Sequence, residues 1–140
     1  MSYCSLMQEY FESWKGAVSR YFSDIDENEH CNDATQKATF IIDFEPEEWW
    51  EVLEHPSSIF ISCHDVYCYM EGDLVVPPQA TQQTERLVRS LPDCNHTRTD
   101  HHAYSDHVHF MCEVSLPKVT DTIRNLAYIT RKSEEVIEYE

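Results

Sequence analysis

Glycine is nearly missing from this chain: there are two in 140 residues, and they stand far apart. A phosphate-cradling loop or a dinucleotide fingerprint needs several glycines close together, so both are excluded. No G-x-S-x-G nucleophile elbow is present either. Bases are scarce too, with 10 Lys and Arg against 26 Asp and Glu, a net charge of −16. No apolar run approaches the roughly 20 residues that span a bilayer. The N-terminus (MSYCSLMQEYF) has no basic segment followed by an apolar one. The expectation is therefore no membrane and an intracellular protein, cytoplasmic or nuclear. There is no C-x-x-C. The six cysteines, at 4, 31, 63, 68, 94 and 112, form no spaced framework, and in an intracellular protein they are expected as reduced thiols.

The hydrophobic fraction is 41%, with six Phe, eight Tyr and three Trp, and it is sufficient for a folded core. A length of 140 residues predicts one domain, residues 1–140, with no linker and no internal repeat. The charge is uneven. Residues 1–80 carry 16 acids and three bases, while residues 81–140 carry ten acids and seven bases. A field of this sign repels a phosphate backbone and attracts basic surfaces, including the nucleic-acid-binding faces of other proteins. Direct nucleic-acid binding is thus disfavoured, and a basic protein partner is the expectation.

Residues 2–22 read as an amphipathic helix, with Leu6, Tyr10, Trp14, Val18 and Phe22 as its stripe and Met7, Phe11 and Tyr21 widening it. Residues 23–36 are acidic and without period, and are expected as a loop. Lys37–Phe44 reads as a strand. The E-P-E-E-W-W-E-V-L-E segment that follows suits a helix, with Pro46 in its first turn and carboxylates at its positive end. Two adjacent tryptophans among acids cannot both enter one core stripe, so one is expected as a protein-binding anchor. Ile59–Met70 is one bent strand or a hairpin turning near Cys63–Asp65, and Glu71-Gly72-Asp73 looks like a turn. A helix over residues 80–91, a polar strand or loop over residues 96–104, a strand over residues 106–115 and a helix capped by Thr120 complete the order. The fold class expected is α+β: a two-layer, ferredoxin-like, mostly antiparallel sheet with an extra N-terminal helix.

Asp93–Ser115 is the stretch richest in candidate chemistry, holding five of the eight histidines. Strand alternation puts Val108, Phe110, Cys112 and Val114 on one face and His107, His109, Met111 and Glu113 on the other. Two imidazoles then share a pleated face about 7 Å apart. His107-Val108-His109, preceded by Asp106, resembles the metal-binding motif of the HUH endonucleases. The run S-D-H-V-H-F-M-C-E-V-S-L-P-K is similar to the strand and Pro-Lys turn of their IS200-type transposases, a likeness extending over residues 59–132. That resemblance implies a divalent metal (Mn, Mg or Zn) on His107 and His109, with His101 or His102 as third ligand. It further implies a tyrosine nucleophile, for which Tyr128, Tyr139, Tyr3 and Tyr10 are the candidates.

Two functions follow. The first is an acidic, non-enzymatic protein that binds the basic surface of a nucleic-acid-handling partner and inhibits or regulates it. In charge and size it resembles the anti-defence and nucleic-acid-mimic inhibitors of phages and viruses. Its expected contact residues are Asp24, Asp26, Glu27, Glu29, Asp43, Glu45, Glu47, Glu48, Glu51 and Glu54, with Trp49 or Trp50 as anchor. The alternative is an HUH-like, metal-dependent single-strand DNA nuclease.

Overall fold

The computed structural model describes residues 1–21, 24–45 and 55–138. In chain order its elements are α1 (Tyr3–Val18), β1 (Asp24–Asn32), β2 (Lys37–Glu45), β3 (Ser57–His64), β4 (Tyr67–Val76), α2 (Thr81–Arg89), β5 (Cys94–His101), β6 (Asp106–Ser115) and α3 (Val119–Glu138). The strands form one open sheet in the order β1-β2-β3-β4-β6-β5, with every neighbouring pair antiparallel. The protein is therefore α+β. A four-strand meander, a helix, a hairpin and a last helix follow one another, whereas a ferredoxin-like chain alternates β-α-β-β-α-β.

The four central strands β2, β3, β4 and β6 each have one apolar side, and those sides share a face. Phe40, Ile42, Ile59, Ile61, Met70, Leu74, Val108 and Phe110 are fully buried there. The three helices among the described residues lie against it. Phe11 and Trp14 of α1 meet the Phe40 ring at centroid distances of 5.0 and 5.2 Å, pairs worth about 0.5–1.5 kcal/mol each beyond the area they cover. Arg89 of α2 donates to Thr97 Oγ1 on β5. Thr84 of α2 and Ser133 of α3 share a buried hydrogen bond of 2.6 Å. Ile123, Leu126, Ala127 and Thr130 of α3 are buried, as its sequence pattern predicts.

The stripe of α1 turns out rotated. Met7, Phe11, Trp14 and Val18 are buried, while Leu6 is exposed. A strict four-residue repeat drifts about 40° per step around a 3.6-residue helix, so the 7-11-14-18 series holds one face better. Ser2 caps the helix by accepting from Ser5 N–H at 3.1 Å.

Two segments expected as loop or turn are strand. Residues 24–32 form edge strand β1. Their carboxylates have poor intrinsic strand preference, but charge is what keeps an exposed edge from pairing with other chains. Asn32 Oδ1 accepts from Ala34 and Thr35 N–H at 2.9 and 3.2 Å, which builds the turn into β2. Glu71-Gly72-Asp73 lies inside β4. A Cβ at Gly72 would strike the carbonyl oxygen of Ser58 on β3, so here glycine permits a close backbone approach instead of a turn. The turn itself falls at Asp65-Val66, with Asp65 at φ 58°.

The expectation of reduced thiols is overturned. All six cysteines pair, as Cys4–Cys31, Cys63–Cys68 and Cys94–Cys112. Spacing along the chain concealed this because the pairs are made by folding. Cys63 faces Cys68 across β3–β4, Cys94 faces Cys112 across β5–β6, and Cys4 of α1 reaches the edge strand. Among the described residues, no helix is long and apolar enough to cross a membrane.

Candidate functional site on the open sheet face

The register sets out what faces away from the helices. One row across the strands runs Asp26, Asp43, Ser58, Asp73, His109, Arg98. The next runs Asn28, Ile41, Phe60, Glu71, Met111, His96. A third carries Thr39, Ser62, Tyr69 and Glu113. Phe60 and Met111 are each 38% exposed and Tyr67, one row further, is 54% exposed. The burial pattern of β6 alternates as its sequence predicts, with His107, His109, Met111 and Glu113 on this outer face.

His109 is held by carboxylates at both ends of its ring. Asp73 of β4 lies against Nδ1, and Asp100 of β5 lies 2.6 Å from Nε2. The hydrogen bond to His109, helped by Arg98 at 3.4 Å, holds the Asp100 carboxyl below the ordinary carboxylate range. His107 has a different environment. Its ring centroid is 4.1 Å from His102 and 6.1 Å from His55. Burial pushes its imidazole below the usual value, and the neighbouring His102 lowers it further.

His101 does not join them. It pairs in register with Asp106, on the helix side of the sheet, and its Nδ1 lies 3.0 Å from that carboxylate. Asp106 is buried and also accepts from Thr81 Oγ1 at 2.5 Å. The three expected metal ligands thus divide two and one between opposite faces, because the β5–β6 register pairs Asp100, not His101, with His107. Among the described residues, no group of three or more His, Cys, Asp or Glu is arranged to hold a metal ion. Asp73 and Asp100, which occupy both nitrogens of His109, were not anticipated. Asp73 was hidden because its segment reads as a turn.

No protein-family model, no curated protein and no solved structure matches the chain.

The expected partner-binding acids also divide. Asp26 and Asp43 face each other across β1–β2 on the outer face. Neither has a cationic partner among the described residues. Burial, and then the Asp26 charge, raises the Asp43 carboxyl above its ordinary value. Glu27 and Glu29 alternate to the other side, where Glu27 pairs with Lys15 of α1 at 3.1 Å and Glu29 is exposed. Asp24 and Glu45 are placed as backbone partners at the open ends of the two strands. Glu47, Glu48, Trp49, Trp50, Glu51 and Glu54 lie outside the described residues. Along β4, Tyr69 donates to Glu71 at 2.7 Å, and that bond pushes the phenol up to about 12.

Proposed function

We propose that this chain is an acidic, non-enzymatic interaction protein that binds the basic surface of a partner protein and thereby inhibits or regulates it. The observation that carries the reading is the Asp26–Asp43 pair. Like charges directly opposed on adjacent strands destabilise a sheet, and here they stand with no cation beside them among the described residues. A Lys or Arg from a partner would relieve that repulsion on binding. The net charge of −16 supplies long-range attraction of the same sign.

The three cystines favour an oxidising compartment over the cytoplasmic or nuclear location expected from the sequence. They also remove the reason to restrict the partner to a nucleic-acid-handling protein, since the surface asks only for positive charge. The HUH-like nuclease keeps one supporting feature, the shared face of His107 and His109. Asp73 and Asp100 stand against both ring nitrogens of His109, which weighs against that ring as a metal ligand.

The two readings separate experimentally. Partners captured by the purified protein are titrated calorimetrically at low and physiological salt, while the protein is assayed for bound metal and for Mn-dependent cleavage of single-stranded DNA. The interaction reading expects a stoichiometric complex that weakens steeply with salt, and no cleavage. Cleavage abolished by His107→Ala would sink it.

A further inference from the structure

We propose that the outer face of the sheet, and not the acidic N-terminal strands alone, is the docking surface, and that its occupant is an amphipathic helix of the partner with Lys or Arg flanking an apolar stripe. This refinement rests on the reading of a basic partner. Ile41 and Phe60 oppose each other across β2–β3, and Met111 lies on the same row two strands on. Phe60 and Met111 keep 38% of their surface in water although they are large apolar side chains on a sheet whose other face is covered by helices. One row away, about 7 Å along the strands, lie Asp26, Asp43 and Asp73. On the other side of the apolar row lies Glu113, opposite Tyr69. The row itself is apolar at Ile41, Phe60 and Met111 and is broken by the carboxylate of Glu71 between the last two. Apolar side chains interleaved with and bordered by carboxylates are the imprint of an element that carries an apolar stripe and basic side chains beside it.

The dimensions suit a helix. From β2 to β6 the row crosses three strand spacings, about 14 Å, which about ten helical residues cover. Between Glu71, His96, Arg98, His109 and Met111 the face is indented by a groove of about 310 Å³, open for an entering side chain. Charge removes the rival occupants. A second copy of the chain would bring another −16 against these carboxylates, and a nucleic acid would bring its phosphates. A plain polycation would satisfy the acids and leave Phe60 and Met111 wet.

The test uses the full chain, with disulfides intact, and two fluorescent probes of equal charge: a peptide of leucine and lysine spaced to form an amphipathic helix, and an oligolysine. Anisotropy titrations are expected to give the helix probe at least about tenfold tighter binding than oligolysine, a difference of about 1.4 kcal/mol. Phe60→Ser and Met111→Ser are each expected to weaken the helix probe several-fold and leave oligolysine unchanged. Asp43→Lys is expected to weaken both probes. Glu9→Lys, an equal charge change on the exposed side of α1, is expected to affect neither by more than about twofold. Circular dichroism checks that each variant is folded. If the two serine variants are folded and bind the helix probe like wild type, the docking face is wrong. In that case salt-sensitive binding of both probes keeps the broader reading of a basic partner. If neither probe binds at low salt, both readings fall.

Discussion

The two faces of this sheet are built from the same strands and are chemically opposite. The helix-side face holds residues such as Phe40, Ile61 and Phe110 at full burial, and its buried Asp106 is paired with Thr81 and His101. The outer face holds Phe60 and Met111 partly in water, a cross-strand pair of aspartates without a cation among the described residues, and a histidine clamped between two carboxylates. One face is arranged for stability. The other tolerates like-charge repulsion and exposed apolar side chains.

The sharpest way to break this contrast is to truncate one phenylalanine on each face. Phe110→Ala is expected to cost about 3–5 kcal/mol, read as a lower urea midpoint at unchanged slope. Phe60→Ala is expected to cost under about 1 kcal/mol, since little burial is lost. Equal costs would mean that the outer face is as much core as the inner one.

The covalent ties sharpen the comparison next. Cys4–Cys31 closes a loop of 27 residues and fastens α1 to the edge strand, while Cys63–Cys68 spans five residues of a hairpin. On chain-entropy grounds the first is worth about 3.5 kcal/mol and the second about 2. Paired serine variants compared by thermal melting under oxidising conditions should therefore rank the Cys4→Ser, Cys31→Ser pair as the more damaging, with helix α1 lost from protection first in hydrogen exchange.

A smaller effect is expected from His107. Because its folded-state value lies below the ordinary 6.5, folding disfavours its protonation. The full contribution is present above the unfolded value and is lost as pH falls from there through the folded value. Urea midpoints at pH 7.5 and 5 should show this loss in the wild type and a reduced loss in His107→Gln. An unchanged pH slope would mean that the His55–His107–His102 cluster is not felt energetically.

The smallest effect is expected at Asp43. Its raised value means that the folded state favours the neutral acid, a preference lost as pH rises through the carboxylate range. Asp43→Asn should thus stabilise the protein at neutral pH by about 0.5 kcal/mol, and should weaken binding of a basic partner. Stability gained together with affinity lost would mark the Asp26–Asp43 pair as kept for binding.

How much of this was readable beforehand differs from segment to segment. β6 was legible in full, because a buried and an exposed face impose period two on its residues. α3 and β2 were legible for the same kind of reason. β1 was not, since an edge strand's composition answers to solubility and looks like a loop. The Glu71-Gly72-Asp73 segment was misread because glycine serves turns and close strand contacts alike, and only the position of Ser58 on the neighbouring strand tells them apart. The candidate site was half legible. His107 and His109 could be paired from alternation alone, but Asp73 and Asp100 reach His109 from two other strands.

By itself, the sequence determined the sign and size of the electrostatic field, the two-sidedness of β6 and the α+β class, because these depend on composition and on local periodicity. Tertiary structure alone decided which cysteines pair, that His101 stands on the opposite face from His107 and His109, and which carboxylates meet a histidine or each other. Those facts depend on strand register, and register brings together residues that the chain keeps far apart.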